Sequence, residues 1–400
     1  MIRPTLDKIL VDPAVAATPI ARAVSRNAGG VEVIEAPAGG VEEALRRLGL
    51  TEGKRVLLVK EFRGRSFKQC QGLKEEYACC NLHTLAEGNG CAMECTYCIL
   101  QHYMTSQHLT VFANVDDLQA EIQRAVSSEP ERIFRVGTGE LSDSLLLDPL
   151  TESTRHMVPF FRSLPNAVLE LRTKTDNVEN LLDLEHGGKT VVAWSLNPPE
   201  VGEREELKTA PLEARLRAAS EVARRGYPVG FHLDPMVHYE GWQDGYSRLV
   251  AAAFEAVPPE QVAWVSLGTL RFPPEMKGTI AARFPRSELR HGELIRGADG
   301  KLHYVRPLRI EMYRSVVQAI ESCAPERDAG PVVYLCMEPP DVWKRVFGQE
   351  PSPNDEIEMR LAGSYHRRFV PDTSPRPRLE AYRRVRSPSG EGVPALRLKS

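Results

Sequence analysis

The feature that most constrains the fold is a regular alternation of short apolar runs with segments of helical periodicity, from about residue 76 to residue 322. Ala78 to Leu82 reads as a first strand that leads into a loop dense in cysteine. A helix is predicted at Asp116 to Val126, where Leu118, Ile122 and Ala125 recur on one face. Strand Arg132 to Val136, helix Thr151 to Arg162, strand Val168 to Thr173 and helix Asn177 to Leu184 follow. Next come strand Thr190 to Ser195, helix Leu212 to Arg225, strand Pro228 to Leu233 and helix Tyr246 to Ala256. Strand Val262 to Leu270 with helix Arg309 to Ser322 closes the series, and Pro331 to Cys336 offers one more strand. Such repeats predict a parallel α/β sheet covered by helices. Six of them suit an open, partial (β/α)6 TIM-like barrel better than the closed eightfold one. The barrel is expected over residues 76–347. Residues 1–75 read as a small N-terminal α/β region with helix Val41 to Leu48 and strand Arg55 to Val59. Residues 348–400, rich in Pro, Ser, Arg and Gly, read as an irregular, partly disordered tail.

Composition narrows the setting. The opening Met1-Ile2-Arg3-Pro4-Thr5 lacks the apolar core of a signal peptide. No apolar run approaches the roughly 18 residues that span a bilayer, so no membrane partner is expected. The expected location is the cytoplasm, where thiols stay reduced. Eight cysteines in such a chain then read as metal-binding or catalytic groups rather than disulfides. The net charge of −3 means that any nucleic-acid contact rests on local basic patches.

Three of the cysteines share one short loop, Gly88-Asn89-Gly90-Cys91-Ala92-Met93-Glu94-Cys95-Thr96-Tyr97-Cys98. Spacings of four and three set Cys91, Cys95 and Cys98 around one small centre. Thiolates are the usual ligands of iron–sulfur clusters. A cubane with three protein ligands keeps one iron open, where the amino and carboxylate groups of S-adenosylmethionine (SAM) chelate. The C-x3-C-x-aromatic-C pattern, with Tyr97 before the third cysteine, resembles the radical SAM signature. That resemblance implies a [4Fe-4S] cluster that cleaves SAM reductively to a 5′-deoxyadenosyl radical, on the radical SAM fold. The competing reading is structural zinc, with Cys79, Cys80, His83 or His102 as a fourth ligand. Cys79 and Cys80 otherwise read as core residues of the first strand, and Cys70, Cys323 and Cys336 as structural.

Chemistry in β/α barrels gathers at the C-terminal ends of the strands, and these ends are polar throughout. The second ends in Gly137-Thr138-Gly139-Glu140, where Gly139 allows close approach and Glu140 can accept from the SAM ammonium. An ordinary strand-to-helix turn is the bland alternative. Lys174 ends the third strand and can pair with the SAM carboxylate or ribose, or else sits solvated on the rim. Ser195 and Asn197 end the fourth and can bond the ribose and carboxylate, with Asn197 as a simple cap the alternative. Asp234 and His238 follow the fifth strand, and Arg271 the sixth.

From about residue 76 to 345 the chain resembles the spore photoproduct lyase family. The likeness rests on Gly90 to Gln101, Ser142-Asp143 with Leu147 to Leu150, Thr173-Lys174 with Asn177 to Leu182, and His186 to Thr190. Trp194 to Asn197 and the run Tyr239-Glu240-Gly241-Trp242 complete it. The resemblance implies a DNA repair lyase in which the radical abstracts hydrogen from a thymine dimer. It implies SAM contacts from Ser142, Lys174 and Ser195, with Tyr97 beside the cofactor. Tyr97 and Glu140 are the expected catalytic groups. An electron donor of flavodoxin or ferredoxin type and UV-damaged DNA are the expected partners. One departure stands out: lyases carry a hydrogen-donating cysteine just before the Ser-Asp pair, and Thr138 to Asp143 has none. Ile99 also replaces an aromatic residue. The closing hydrogen is then expected first from Tyr97, by its position in the cluster loop, and otherwise from a distant cysteine such as Cys336 or from deoxyadenosine. Arg283 to Arg309 holds seven Lys or Arg and three acids, and the stretch from Arg367 is basic, which suits phosphate contact. The alternative is a radical SAM enzyme acting on a peptide or small molecule.

Overall fold

The computed structural model describes residues 2–383 apart from 37–40, 42–44, 46, 71–75, 105, 327–329, 352, 371 and 373–374. Half of the helix expected at Val41 to Leu48 lies outside the described residues.

Among the described residues, seven strands run parallel in one sheet: β1 (His83–Leu85), β2 (Phe134–Gly137), β3 (Ala167–Thr173), β4 (Thr190–Ser195), β5 (Val229–Met236), β6 (Val262–Thr269) and β7 (Val332–Leu335). Each pairs with the next in chain order, and Phe67–Gln69 adds an antiparallel edge beside β1. Helices on the outside connect them: α1 (Val115–Ser128), α2 (Thr154–Ser163), α3 (Leu212–Arg224), α4 (Trp242–Ala256) and α5 (Arg306–Cys323). Strands covered on both faces read as unbroken apolar runs; Val191, Val192, Ala193 and Trp194 of β4 are all fully buried. The sheet curls into the expected half-barrel. Among the described residues one isolated bridge crosses its open side, where Ala78 N donates to Glu338 O at 3.1 Å.

Three expectations change. Ala78 to Leu82 is not the first strand; the ladder starts at His83, Ala78 bridges to Glu338 across the barrel opening, and Cys79 N donates to Asn354 Oδ1 at 2.8 Å. Asn177 to Leu184 holds only a short 3-10 turn, Glu179–Leu181. Asn177 spends its side chain on the backbone of Ile2 and on Leu145 O instead of starting a helix. The stretch expected to be irregular contains α6 (Asn354–Phe369), whose Ile357, Leu361, Ala362 and Tyr365 are buried. This helix covers the N-terminal end of the barrel, where it bounds a cavity with Ile133, Val168 and Trp264. Residues 384–400 are outside the described residues.

A second sheet pairs Glu32–Glu35, Lys8–Val11, Val56–Lys60 and Leu109–Phe112 in parallel, with Gly88–Asn89 antiparallel at the edge. It therefore draws strands from both sides of residue 75. It also fixes the cysteine loop, because Gly88–Asn89 and Leu109–Phe112 clamp both ends of it. A Cβ at Gly88 would lie 2.4 Å from Thr110 O, so only glycine permits this pairing. Gly90 then turns the chain with φ of +86°.

Candidate active site

The cysteine loop lies over the C-terminal mouth of the barrel. Gly90 N donates to Leu141 O at 2.8 Å, joining it to the turn after β2. A two-residue antiparallel ladder pairs Glu94–Cys95 with Glu206–Leu207, and Thr96 N donates to Glu205 O at 2.9 Å. Cys95 is buried, while Cys91 and Cys98 are half-buried and border a groove with Lys54 and Gln101. Burial pushes the Cys91 thiol up to about 12 and raises Cys95 and Cys98 too, with Lys54 or Lys174 acting in the opposite sense at each. Metal coordination removes such protons outright. Among the described residues, no three His, Cys, Asp or Glu side chains gather closely enough to hold a single ion. Three thiolates bound to three different irons need no such convergence. Three cysteines on one loop, flanked by two lysines, thus fit a cluster with three protein ligands.

Next to the loop sits a carboxylate that sequence reading passes over. The Glu206 side chain is fully buried. Its Oε1 accepts from the Tyr97 hydroxyl and from Asn197 Nδ2 at 2.9 Å, with Lys174 Nζ at 3.3 Å. Its Oε2 accepts from Arg215 Nη1 at 2.8 Å. Burial opposes the charge, yet Lys174 and Arg215 hold this carboxyl far below the ordinary range. Burial first, and then Glu206, raise the Tyr97 phenol well above its usual value.

Four of the expected site residues therefore meet here. Tyr97 and Asn197 bond Glu206 directly, Lys174 pairs with it, and Ser195 O accepts from Arg215 at 2.8 Å. Both ends of the Asn197 amide are engaged by protein, since Oδ1 accepts from the Tyr246 hydroxyl at 2.7 Å. Ser142 is half-buried beside Asp143. Asp143 accepts from Thr173 Oγ1 at 2.7 Å and Lys174 N at 2.8 Å, which fixes the backbone that carries the lysine.

Gly139 and Glu140 lie to one side, on a cleft inside the barrel that encloses roughly 720 Å³ of non-atom space, open mouth included. Arg172 Nη2 donates to Gly139 O at 3.0 Å. Asp234 and Arg271, expected separately at two strand ends, form a bidentate pair with both bonds at 3.1 Å. His238 is exposed, outside the cleft. The cleft floor is charged: His232 Nε2 meets Glu170 Oε1 at 2.5 Å, and Arg135 stacks over Trp264. Cys70, Cys79, Cys80 and Cys336 all border it. Cys80 Sγ accepts from Arg135 Nη2 at 2.9 Å, and the Cys79 thiol with Arg135 pulls the Cys80 thiol down to about 5. Cys79 and Cys336 shift up instead, Cys79 through its bond to Cys80 and then burial, Cys336 through burial.

A half-open parallel β/α barrel with a three-cysteine loop over its C-terminal mouth is the build of a radical SAM protein. The family described as spore photoproduct lyase matches residues 53–320. The chain belongs to that family. The spore photoproduct lyase of Geobacillus sp. (strain Y412MC61) is 33% identical over 204 residues, 50% of this chain and 60% of that protein. That of Bacillus subtilis (strain 168) is 30% identical over 203 residues, 50% of this chain and 59% of the relative. The chain thus spans about 60% of the length of these curated relatives. Among solved structures, a spore photoproduct lyase double mutant with bound AdoMet and dinucleoside spore photoproduct superposes with a TM-score of 0.71 and 25% identity, covering 83% of this chain and all of that one. A single mutant with the dinucleoside photoproduct gives 0.73 at 24% identity, over 84% of this chain and all of that one, a likeness of fold.

Proposed function

We propose that this chain is a radical SAM lyase that reverses a thymine-dimer photoproduct in DNA. The observation that carries this reading is the joining of the three-cysteine loop, through Gly90 and Leu141, to the turn whose Gly139 and Glu140 border the barrel cleft. Cys91, Cys95 and Cys98 would hold a [4Fe-4S] cluster. Tyr97, Gly139, Glu140, Ser142, Lys174, Ser195 and Asn197 are the residues assigned to SAM, with Asn197 acting from behind through Glu206. When bound, the pair supplies a 5′-deoxyadenosyl radical. The residues of the chain orient and enclose. Lys174 offers its ammonium to the cofactor carboxylate, Glu140 accepts from the cofactor ammonium, and the cleft receives the substrate beside them. A flavodoxin- or ferredoxin-type protein is the proposed electron source. The family relatives and the AdoMet- and photoproduct-bound structure support this assignment.

The closing hydrogen has to come from somewhere other than the turn at Thr138 to Asp143. The Tyr97 hydroxyl is engaged by Glu206. Cys79 and Cys336 border the cleft with their thiols shifted up, whereas Cys80, shifted down, is taken up by Arg135, whose Nη2 donates to its Sγ at 2.9 Å. A thiol gives up hydrogen to a carbon radical readily, so Cys79 or Cys336 is the proposed donor. A peptide or small-molecule substrate is the second reading. It is favoured by the absent turn cysteine and by the use of Arg283, Arg306 and Arg309 in ion pairs with Glu94, Asp341 and Glu338. Of that basic segment, Arg286 and Arg296 remain exposed for phosphate.

The test is anaerobic turnover of dinucleoside spore photoproduct with SAM and a reductant. Thymine release supports the lyase. Deoxyadenosine formation without thymine, on dinucleoside and duplex alike, transfers the assignment to the second reading.

A further inference from the structure

We infer that Glu206 is the positioning residue that ties the SAM-binding side chains to the cysteine loop and holds Lys174, with net positive charge, for an anionic ligand. The inference rests on the cofactor assignment above and extends it to a residue outside that set. Three observations carry it. Glu206 is backbone-paired with Cys95, so its place is fixed by the same ladder that fixes a cluster ligand. Its carboxylate reaches Tyr97, Lys174 and Asn197 with one oxygen and Arg215 with the other. Arg215 is itself immobile: it is 3% exposed and donates to Ala210 O at 2.8 Å and Ser195 O at 2.8 Å.

The charges decide the role. Arg215 and Glu206 form a buried pair with a 2.8 Å contact, one carboxylate facing two cations. Lys174 at 3.3 Å shares the same carboxylate, so the three groups keep one net positive charge, and 13% of the Lys174 side chain is exposed. Its Nζ also lies 5.9 Å from the centre of the Tyr97 ring. A cation fixed by a shared carboxylate is prepared to receive the carboxylate of an amino-acid ligand without reorganising. Glu206 acts through Lys174 and Tyr97, not on the reacting atoms.

The experiment compares Glu206→Asp and Glu206→Gln with the wild-type protein after anaerobic cluster reconstitution. Asp keeps the charge but withdraws it by one methylene; Gln keeps the reach but removes the charge. Iron and sulfide content, thermal unfolding and the electron paramagnetic resonance spectrum of the reduced cluster are read during SAM titration. The expected result is unchanged iron and sulfide, with the SAM-induced spectral change displaced to at least about tenfold higher SAM in Glu206→Asp. SAM affinity within about twofold of wild type in both variants overturns the inference. So does loss of the cluster in both, which would make Glu206 a support of the loop alone. A wild-type protein that takes up no cluster, or whose cluster spectrum ignores SAM, instead refutes the cofactor assignment itself.

Discussion

Glu358→Ala should loosen the C-terminal helix from the barrel by about 3 kcal/mol, at the lower end of the 3–5 kcal/mol that breaking a buried ion pair costs. Arg132, just ahead of β2, and Glu358, on α6, are each 5% exposed at the side chain. Three contacts of 2.9, 2.7 and 2.8 Å join them. Burial works against the Arg132 charge, and Glu358 together with Glu129 more than offsets it. Removing the carboxylate strands a guanidinium among Phe134 and Tyr382, whose rings lie 5.1 and 5.7 Å away. Glu129 remains at 3.1 Å, but it is half-exposed, so it compensates only in part. Hydrogen exchange at Ile357, Leu361 and Tyr365 measures the opening free energy of the helix directly. The control is the double variant Arg132→Met with Glu358→Leu, which replaces the pair by apolar groups and should recover most of the loss. A single-variant loss below about 1 kcal/mol, or a double variant no better than the single, refutes the reasoning. Either would mean that α6 is held by its apolar face without help from the pair.

Further outcomes follow from the same contacts. Cys91→Ala, Cys95→Ala and Cys98→Ala should each abolish the brown cluster chromophore and SAM cleavage, while Cys79→Ala leaves the chromophore intact; absorbance with iron analysis decides. Lys174→Ala and Glu140→Ala should each weaken SAM binding about tenfold or more, the worth of a charge-assisted hydrogen bond, with the cluster still assembled. Burial pushes the Glu170 carboxyl up, but His232 and Arg135 bring it down to about 2 from 4.5. At 1.36 kcal/mol per unit that is on the order of 3 kcal/mol, present above about pH 4.5 and lost as pH falls through about 2. Glu170→Gln should therefore flatten the acid limb of stability against pH in that window. Turnover in D2O should place solvent deuterium in the released thymine, and Cys79→Ala or Cys336→Ala should slow that transfer. Equal rates and deuterium content in both variants would exclude these two thiols as donors.

Much of the barrel was legible because a parallel strand covered on both faces leaves a continuous apolar run. Thr190–Ser195 is the plainest case, matched to the residue. The cysteine loop was legible for a different reason, since its ligands are close in sequence and their spacing survives without the fold. The first strand was displaced because Ala78, Cys79 and Cys80 are apolar and buried or half-buried like a strand, although only Ala78 pairs, and across the opening. Tail composition, averaged from residue 348 onward, hid the period of Ile357, Leu361 and Tyr365.

Glu206 and Glu358 were hidden by the same physics. Periodicity treats a charge as a marker of water, and Glu203-Arg204-Glu205-Glu206 reads as a solvated helix face. Yet Glu205 and Glu206 are each 2% exposed, and the partners of Glu206 come from Tyr97, Lys174, Asn197 and Arg215 on separate segments. A buried charge is tolerable only when paired, and pairing across the chain leaves no local trace. The strand ends could still be found, because the barrel itself dictates where chemistry gathers. What holds those ends in place is written in buried charges, and those become visible only once the strands have brought the pairs together.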